Sequence, residues 1–236
     1  LSVYKSEDIY MSSNVMSDDY SNILGDCVNL TFVNNTMINE GIDLIGSPYI
    51  DKLRNWNTHI IDTSNTVNGK PIYYWKNREG GEVPPDAGQI ILANCSGVKV
   101  ANQNLTDTYT GITLGYSENN LIVNNTISHN RAGIEVSNSD KNIFRHNEIT
   151  GNQISGFSFQ SNSDHNHIMD NTISSNVMIG MTFFDGCEDN KIYKNDISNN
   201  SKGISFKNSS DGNEIYHNNF IENNYQVYMF CGNNTW

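Results

Sequence analysis

The chain has 236 residues, with 14 Lys and Arg against 26 Asp and Glu, and its formal net charge at pH 7 is −12. This charge argues against a general nucleic-acid binder, because such proteins bind phosphates through clustered basic side chains. Only 36% of the residues are hydrophobic and 39 are Asn, a composition that is unusual for a helical enzyme. No run of about 18 apolar residues is present, so we predict no transmembrane segment in this chain.

The first segment, 1–46, is predicted to form N-terminal coils of a repeat that becomes regular further along. Gly41-Ile42-Asp43-Leu44 has the form of one repeat strand, and residues 1–40 fit about two weaker coils. The chain opens without Met and without the charged and apolar regions of a signal peptide. We therefore expect it to be a piece of a longer polypeptide.

The next segment, 47–88, breaks the pattern and is predicted to be an irregular insertion that leaves the coil stack. It contains all four prolines and two of the three Trp, and Pro cannot donate a hydrogen bond to a strand ladder. Irregular segments on a rigid scaffold often carry function, and aromatic faces beside polar groups suit glycans. The insertion therefore supplies candidate sugar-binding residues, namely Lys70, Tyr73, Tyr74 and Trp75.

Two residues of this insertion, His59 and Asp62, are candidate acid and base groups of an enzyme. An alternative interpretation is that the insertion is a plug, which packs its aromatic side chains over the flank of the coils and seals their core. Both interpretations stay open at this point.

The third segment, 89–236, is predicted to form regular coils, because 111–225 matches itself at a period of 22 to 24 residues. The repeats align on an apolar anchor, namely Ile127, Ile149, Ile173, Ile197 and Phe220. Three columns of Asn accompany the anchors in every repeat: Asn120, Asn142, Asn166, Asn190 and Asn213; Asn125, Asn147, Asn171, Asn195 and Asn218; Asn130, Asn152, Asn176, Asn200 and Asn223. A Gly and an apolar-x-apolar strand follow most anchors.

Short alternating segments separated by Asn cannot be helices, whose apolar residues recur with a period of 3.6. We predict an all-β fold, a right-handed parallel β-helix of about nine to ten coils, each with three short strands. Neighbouring coils then lie about 4.8 Å apart in register. Asn suits the corners because it tolerates left-handed backbone angles and because its amide both donates to and accepts from its copies above and below.

Three of the four cysteines, Cys27, Cys95 and Cys187, stand in a column that otherwise holds Ser. We therefore predict that they are small residues of a tight turn rather than a disulfide framework. The cysteines say little about the redox compartment.

The outward columns of the Gly-led strand offer hydroxyl, amide and aromatic groups, which favour sugar binding over hydrolysis. The candidate binding residues there are Ser158, Gln160, Phe184 and Lys207. A glycosidase needs two carboxyl groups roughly 5 to 9.5 Å apart, and Glu135 has no carboxylate partner in its own column. Glu135 and Asp185 stay weak catalytic candidates, and an ordinary polar β-surface is the alternative.

A further column is acidic in every repeat and comprises Glu118, Asp140, Asp164, Glu188 and Asp211. Stacked like charges repel, by about 1 kcal/mol per pair in bulk water and more near a protein surface. One interpretation is a ladder that binds Ca²⁺ or another hard cation. The other is that each carboxylate accepts a backbone N–H of its own turn and points into solvent.

The coil pattern Asn-x-Ile-x-x-Asn-x-x-Gly-Ile-x-Leu closely resembles the repeat of NosD-like proteins and of carbohydrate-binding and sugar-hydrolase modules. A second match, from His59-Ile-Ile-Asp62 to Tyr73-Tyr74-Trp75, resembles a segment of NosD-like surface proteins, many of them archaeal. The resemblance implies an extracellular or cell-envelope location. NosD itself is associated with maturation of a reductase copper site, but this sequence shows no Cys/His/Met cluster that would hold copper.

The main functional hypothesis is a non-catalytic β-helix module of a cell-surface protein, which binds a polysaccharide or glycoconjugate or serves adhesion and envelope structure. The second is a polysaccharide-active hydrolase, lyase or epimerase. A NosD-like copper-maturation factor ranks third. No cofactor other than Ca²⁺ is suggested, and the sequence identifies neither the glycan nor the oligomeric state.

Overall fold

A computed structural model describes residues 1–17, 22–45, 53–230 and 232–236. The described residues form 29 strands and one short helix, α1 (Arg54–Asn57). The start of the predicted insertion, including Pro48, and Cys231 lie outside the described residues. The fold is a right-handed parallel β-helix of about nine turns, which confirms the predicted fold class.

The first coils form an N-terminal stack, which has three parallel sheets of three strands each. The first sheet contains β1 (Ser2–Tyr4), β4 (Asn22–Gly25) and β7 (Ile42–Ile45); the second contains β2 (Tyr10–Ser12), β5 (Thr31–Val33) and β8 (Ile60–Ile61); the third contains β3 (Val15–Ser17), β6 (Thr36–Ile38) and β9 (Thr66–Val67). Each strand is short because a corner follows it.

The remaining coils form a C-terminal stack, also with three parallel sheets. The main sheet contains β10 (Lys70–Lys76), β11 (Gln89–Ala93), β14 (Thr110–Gly115), β17 (Ala132–Ser137), β20 (Ser155–Gln160), β23 (Ile179–Phe184), β26 (Lys202–Phe206) and β29 (Tyr225–Met229). The second contains β12 (Lys99–Ala101), β15 (Leu121–Val123), β18 (Ile143–Arg145), β21 (His167–Met169), β24 (Lys191–Tyr193) and β27 (Glu214–Tyr216). The third contains β13 (Asn104–Thr106), β16 (Thr126–Ser128), β19 (Glu148–Thr150), β22 (Thr172–Ser174), β25 (Asp196–Ser198) and β28 (Asn219–Ile221).

A hairpin joins the two stacks. Strands β9 and β10 pair in antiparallel fashion, and the turn between them is Asn68-Gly69, both with positive φ (50° and 78°). Asn-Gly is the preferred sequence for a two-residue hairpin turn, because both positions require φ above zero. The chain therefore reverses here, and the third sheet of the N-terminal stack continues into the main sheet of the C-terminal stack.

Part of the predicted insertion belongs to the coil stack. Strands β8 and β9 pair in parallel with β5 and β6, and β10 pairs in parallel with β11. Pro71 is accommodated because it lies in the short antiparallel pairing at the junction. In the first half of the predicted insertion, the described residues outside the strands are those around α1 and the corner at 62–65.

The two stacks have separate hydrophobic cores, and strands β10 and β11 divide them. Ile90 and Leu92 face the core of the C-terminal stack, whereas Ile91 and Ala93 face the other core. Strand β7 and α1 therefore lie on the outer face of the main sheet. Trp56 of α1 packs so closely on Gly115 of β14 that a Cβ atom there would be 2.0 Å from its ring.

The three Asn columns form buried ladders between coils. The backbone N–H and side-chain Nδ2 of Asn142 donate to Oδ1 of Asn166 at 2.9 and 3.2 Å, and Nδ2 also donates to the Ser117 carbonyl at 2.9 Å. The left-handed backbone angles belong to the preceding residues, such as Lys141 (φ 56°) and His146 (φ 54°). The ladder Asn residues thus supply hydrogen bonds, and the expectation that they also adopt the left-handed conformation is wrong.

Candidate functional site

The candidate site is a pocket between the two stacks, on the outer face of the main sheet. Its volume is about 250 Å³. The N-terminal side is formed by β7 and α1, and the C-terminal side by β14, β17 and β20 together with their flanking turns. The lining residues are Asp43, Leu44, Ile45, Trp56, Tyr109, Arg131, Glu135, Ser137, Gln160 and Ser161.

Two carboxyl groups, those of Asp43 and Glu135, face this pocket from different stacks. Burial raises the pKa of Glu135 to about 7, and the nearby charge of Asp43 raises it as well. Burial also raises the pKa of Asp43 to about 6. Because a neighbouring like charge disfavours ionisation, Glu135 holds its proton to a higher pH than an isolated carboxyl group would.

Neutral and cationic groups partly offset this rise in the pKa values of Asp43 and Glu135. The Tyr109 hydroxyl hydrogen-bonds to Asp43, and the Thr110 hydroxyl donates to Oε2 of Glu135 at 3.2 Å. The charge of Arg131 lowers the pKa of both carboxyl groups, and its guanidinium lies 4.7 Å from the centre of the Tyr109 ring. The pocket therefore presents acid, base and hydrogen-bonding groups together.

A polar strip continues from the pocket along the main sheet towards the C-terminal end, and we call it the groove. Its floor column starts at Glu135 and continues through Ser158, Thr182 and Ser205, which pair in register on successive strands. The Ser205 hydroxyl is fully buried and has no hydrogen-bond partner among the described residues. A second column, Gln160, Phe184 and Lys207, is partly exposed along one side.

The predicted groove residues occupy two adjacent columns, Ser158 in the floor column and Gln160, Phe184 and Lys207 in the second. Ser158, Gln160, Phe184 and Lys207 lie on the same outer face, and Gln160 also lines the pocket. On the other side of the floor, the Lys202 ammonium lies 4.0 Å from the centre of the Tyr228 ring. The partly exposed side chains beside the floor offer amide, cationic and aromatic groups, which matches the chemistry that binds sugars.

The predicted acid/base pair in the insertion lies away from this pocket. His59 is fully buried; its Nδ1 accepts the Leu30 N–H at 3.2 Å, and its Nε2 lies 2.9 Å from the Asn55 carbonyl. Burial lowers the pKa of His59, and both ring nitrogens are engaged. Asp62 accepts hydrogen bonds from Ser64 and from Asn65 within its own turn. Both residues therefore hold local backbone in place.

The aromatic residues of the same segment pack against the cores. Tyr73 and Trp75 pack against the C-terminal core, whereas Tyr74 packs against the N-terminal core and donates a hydrogen bond to the Trp56 carbonyl. The Lys70 ammonium donates to the Asn104 carbonyl at 3.4 Å. This arrangement fits the alternative interpretation of these aromatics as packing residues.

Asp185, the remaining catalytic candidate, is exposed at a corner with φ 59°. Its Oδ1 accepts a hydrogen bond from the Asn208 side chain at 2.8 Å. It is not among the residues that line the pocket, so the structure gives it a corner position on the coils.

The acidic column is held by backbone hydrogen bonds between coils. Oδ1 of Asp140 accepts the Asp164 N–H at 2.9 Å, and Oδ1 of Asp164 accepts the Glu188 N–H at 2.7 Å. Oδ1 of Asp211 likewise accepts the Asn233 N–H at 2.6 Å. Each of these carboxylates therefore binds the turn of the next coil rather than its own turn.

The residues Glu118 and Asp140 also line a second, larger pocket of about 370 Å³, together with Arg78 and Glu79. Arg78 stacks on Trp75, with its guanidinium carbon 3.6 Å from the ring centre. This second pocket lies along corner residues of one stack, whereas the first brings together residues of both stacks. The first pocket is therefore the stronger candidate.

Within the described residues, no group of three or more His, Cys, Asp or Glu side chains is placed to hold a metal ion. Cys27, Cys95 and Cys187 are free and buried, as predicted from their place in the Ser column. The Sγ of Cys187 donates to the Phe184 carbonyl at 3.3 Å. Copper(I) favours clustered thiolate and thioether ligands, so the described residues do not fit a copper site.

No helix in the described part of the chain has the length and apolar character needed to cross a membrane.

Sequence reasoning identified Glu135 and Gln160 but missed the other lining residues of the pocket, among them Asp43, Tyr109 and Arg131. One signal was available: both outward positions of β11 are apolar, namely Ile91 and Ala93. Two apolar side chains on that face indicate that another element covers it. The covering element is β7, which carries Asp43 to Glu135.

Comparisons with known proteins support the fold. Residues 57–236 match the family model described as NosD, periplasmic copper-binding protein. No curated protein matches this chain. Among solved structures, the Dettilon tailspike protein (gp208) is similar with a TM-score of 0.52 and 14% identity, covering 90% of this chain and 47% of the tailspike chain.

Two epimerases show weaker similarity. The periplasmic alginate epimerase AlgG has a TM-score of 0.48 and 15% identity, covering 89% of this chain and 51% of its own. The A-module of the Azotobacter vinelandii mannuronan C-5 epimerase AlgE6 has a TM-score of 0.36 and 12% identity, covering 97% of this chain and 82% of its own. The chain thus spans about half the length of the tailspike and of AlgG, and at these identities the similarity concerns the fold alone.

Proposed function

The chain belongs to the NosD family, and we propose that it serves as a non-catalytic β-helix module that binds a polysaccharide at the cell surface or in the periplasm. The observation that carries this proposal is the pocket at Asp43 and Glu135, which continues into the groove. The family description names a periplasmic protein, which supports a location outside the cytoplasm.

The groove favours a neutral glycan over a strongly acidic one. The chain carries a net charge of −12, and a polyanion would have to approach against this field. Along the pocket and the groove the charges are mixed, since Arg131 lies near Asp43 and Glu135, while Lys202 and Lys207 lie three coils further along. Mixed donors and acceptors suit sugar hydroxyl groups, which both donate and accept hydrogen bonds.

A binding panel tests this proposal. The purified chain is mixed with cellulose, xylan, chitin, β-1,3-glucan and alginate, and bound protein is measured by co-sedimentation or affinity electrophoresis. We expect binding to at least one neutral glycan. Absence of binding to every member of the panel overturns the proposal and leaves a role in adhesion or envelope structure.

A substitution locates the binding surface. Gln160→Ala removes a side-chain amide from the pocket, and we expect affinity to fall roughly fivefold, the effect of one lost hydrogen bond. Gln153→Ala is the matched control, because Gln153 is exposed on the same coil but lies outside the pocket. Equal affinities of the two variants would place binding on another face.

A second candidate function is enzymatic, and the Asp43–Glu135 pair favours it. Two carboxyl groups with different pKa values can divide the acid and base roles in hydrolysis of a glycosidic bond. The test is a time course on the same panel, following new reducing ends and new unsaturated ends. If the chain is an enzyme, Glu135→Gln lowers turnover by orders of magnitude, whereas Glu148→Gln, on an exposed strand of another sheet, does not.

A further inference from the structure

We infer that the groove takes the end of a polysaccharide chain and not its middle. This inference rests on the proposed binding function and names what the same site recognises. The observation that supports this inference is that the N-terminal stack crosses the outer face of the main sheet and closes one end of the groove.

The direction of the groove follows from the strand register. Glu135 pairs with Ser158, Ser158 with Thr182, and Thr182 with Ser205. Each step moves one coil along the stack axis, about 4.8 Å. A linear glycan that lies over this column therefore runs along the axis, across the strands, and reaches the coil of the partly exposed Lys207 about 14 Å from Glu135.

In the opposite direction the same column is covered. Ile91 of this column and Ala93 of the neighbouring column are fully buried, and both belong to the core of the N-terminal stack. These outward positions lie under β7 and α1, and the close contact of Trp56 with Gly115 leaves no room for an added methyl group. A polymer cannot continue past β17 in this direction.

The wall at the closed end carries the polar groups that an end unit needs. Asp43, Leu44 and Ile45 of β7 form this wall together with Trp56, and Glu135 lies directly in front of it. A terminal sugar has one hydroxyl group that is a glycosidic oxygen in an internal unit. The carboxyl groups of Asp43 and Glu135 can accept a hydrogen bond from that hydroxyl, and an internal unit offers no donor there.

The test counts protein molecules per glycan chain. Size-fractionated cellulose, xylan, chitin and β-1,3-glucan oligosaccharides, from disaccharides to long soluble chains, are titrated with the full chain by calorimetry or analytical ultracentrifugation. We expect one protein per glycan molecule at every length. A stoichiometry that rises with chain length shows binding to internal units and overturns this inference, while the proposed function stands. Failure of every fraction to bind overturns the proposed function and this inference with it.

A pair of variants tests the orientation of the bound glycan chain in the groove. Lys207 lies on the coil of Ser205, three coils from Glu135, so Lys207→Ala is expected to weaken binding of long chains several-fold and to leave disaccharide binding unchanged. Gln160→Ala is expected to weaken both. Lys194→Ala, at an exposed corner of another face, is the matched control for charge. Equal loss of disaccharide and long-chain affinity in Lys207→Ala would overturn the proposed placement of the chain end at Asp43.

Discussion

Asp43 and Glu135 belong to different stacks of coils, yet their carboxyl groups face one pocket, and the charge of Asp43 helps to raise the pKa of Glu135 to about 7. The contact exists because β7 leaves the axis of the main sheet and lies across its outer face. A regular solenoid would separate these residues by several coils. The change of axis at the Asn68-Gly69 hairpin therefore creates the site.

The carboxyl pair makes stability depend on pH. A carboxyl group whose pKa is raised in the folded state binds its proton more tightly there than in the unfolded chain, so ionisation opposes folding. We expect the free energy of unfolding to fall as pH rises from about 4 to about 8, by several kcal/mol from this pair. Urea unfolding at a series of pH values measures this decrease.

Glu135→Gln isolates the contribution of the pair, because Gln keeps the size of the side chain but cannot ionise. We expect this variant to lose much of the decrease between pH 5 and pH 8, and to be more stable than the wild type at the higher pH. Glu148→Gln, at an exposed position, is the control for general charge effects. Parallel pH profiles for the wild type and Glu135→Gln would contradict the assignment.

The contact between the stacks depends on Gly115. Gly115→Ala places a methyl group 2.0 Å from the Trp56 ring, and overpacking of this kind typically costs about 1–3 kcal/mol. We expect α1 and β7 to loosen, with faster proteolysis near residues 54–57 and a change in Trp fluorescence. Ser137→Ala, at the next position of the same column, tests a change of side chain without the clash and should leave proteolysis unchanged.

The regular part of the fold was predictable because each coil repeats the same physical solution. Asn125 and its copies recur at a fixed distance from the buried anchors, and each ladder amide in the structure bonds to the coils on either side. The left-handed corner residues were harder to assign. They vary among His146, Asp170 and Lys194, so no single residue type marks the column.

The site was less predictable than the fold, because it depends on how two stacks meet. Glu135 was identified as a candidate, but its partner Asp43 belongs to a strand that a continuous stack would place several coils away. The Asn68-Gly69 turn signals a reversal of the chain, and the apolar Ile91 signals a covered face. Neither signal alone fixes which residues of β7 reach the pocket, since this depends on the packing of Trp56 and Leu44.

The Asn ladders make a large contribution to stability at each internal coil. Asn147 is 1% exposed, and its amide donates to the Ile122 carbonyl and to Oδ1 of Asn171, both at 3.0 Å. Asn147→Ala leaves buried groups without partners, and we expect a loss of about 2–4 kcal/mol in the free energy of unfolding. Asn104→Ala, on an exposed strand position, should change it by less than about 0.5 kcal/mol. Chemical denaturation of both variants compares them.

The acidic column combines a favourable hydrogen bond with an unfavourable charge, and one substitution separates them. Oδ1 of Asp164 accepts the Glu188 N–H at 2.7 Å, while burial, and then the charges of Asp140 and Glu188, raise the pKa of Asp164. Asp164→Asn keeps an oxygen acceptor and removes the charge, so we expect a gain of up to about 1 kcal/mol at pH 7. Asp164→Ala loses the acceptor and should cost about 1 kcal/mol.

The stabilities of the wild type, Asp164→Asn and Asp164→Ala are compared at low salt, at high salt and with millimolar Ca²⁺. If repulsion between carboxylates sets the gain, added salt reduces the difference between wild type and Asp164→Asn, because exposed charges are screened. Since Oδ1 of Asp140, Asp164 and Asp211 already accepts a backbone N–H, we expect Ca²⁺ to act no differently from Mg²⁺ at equal ionic strength. A rise in Tm that is specific to Ca²⁺ and lost in Asp164→Asn would instead establish the column as a cation-binding ladder.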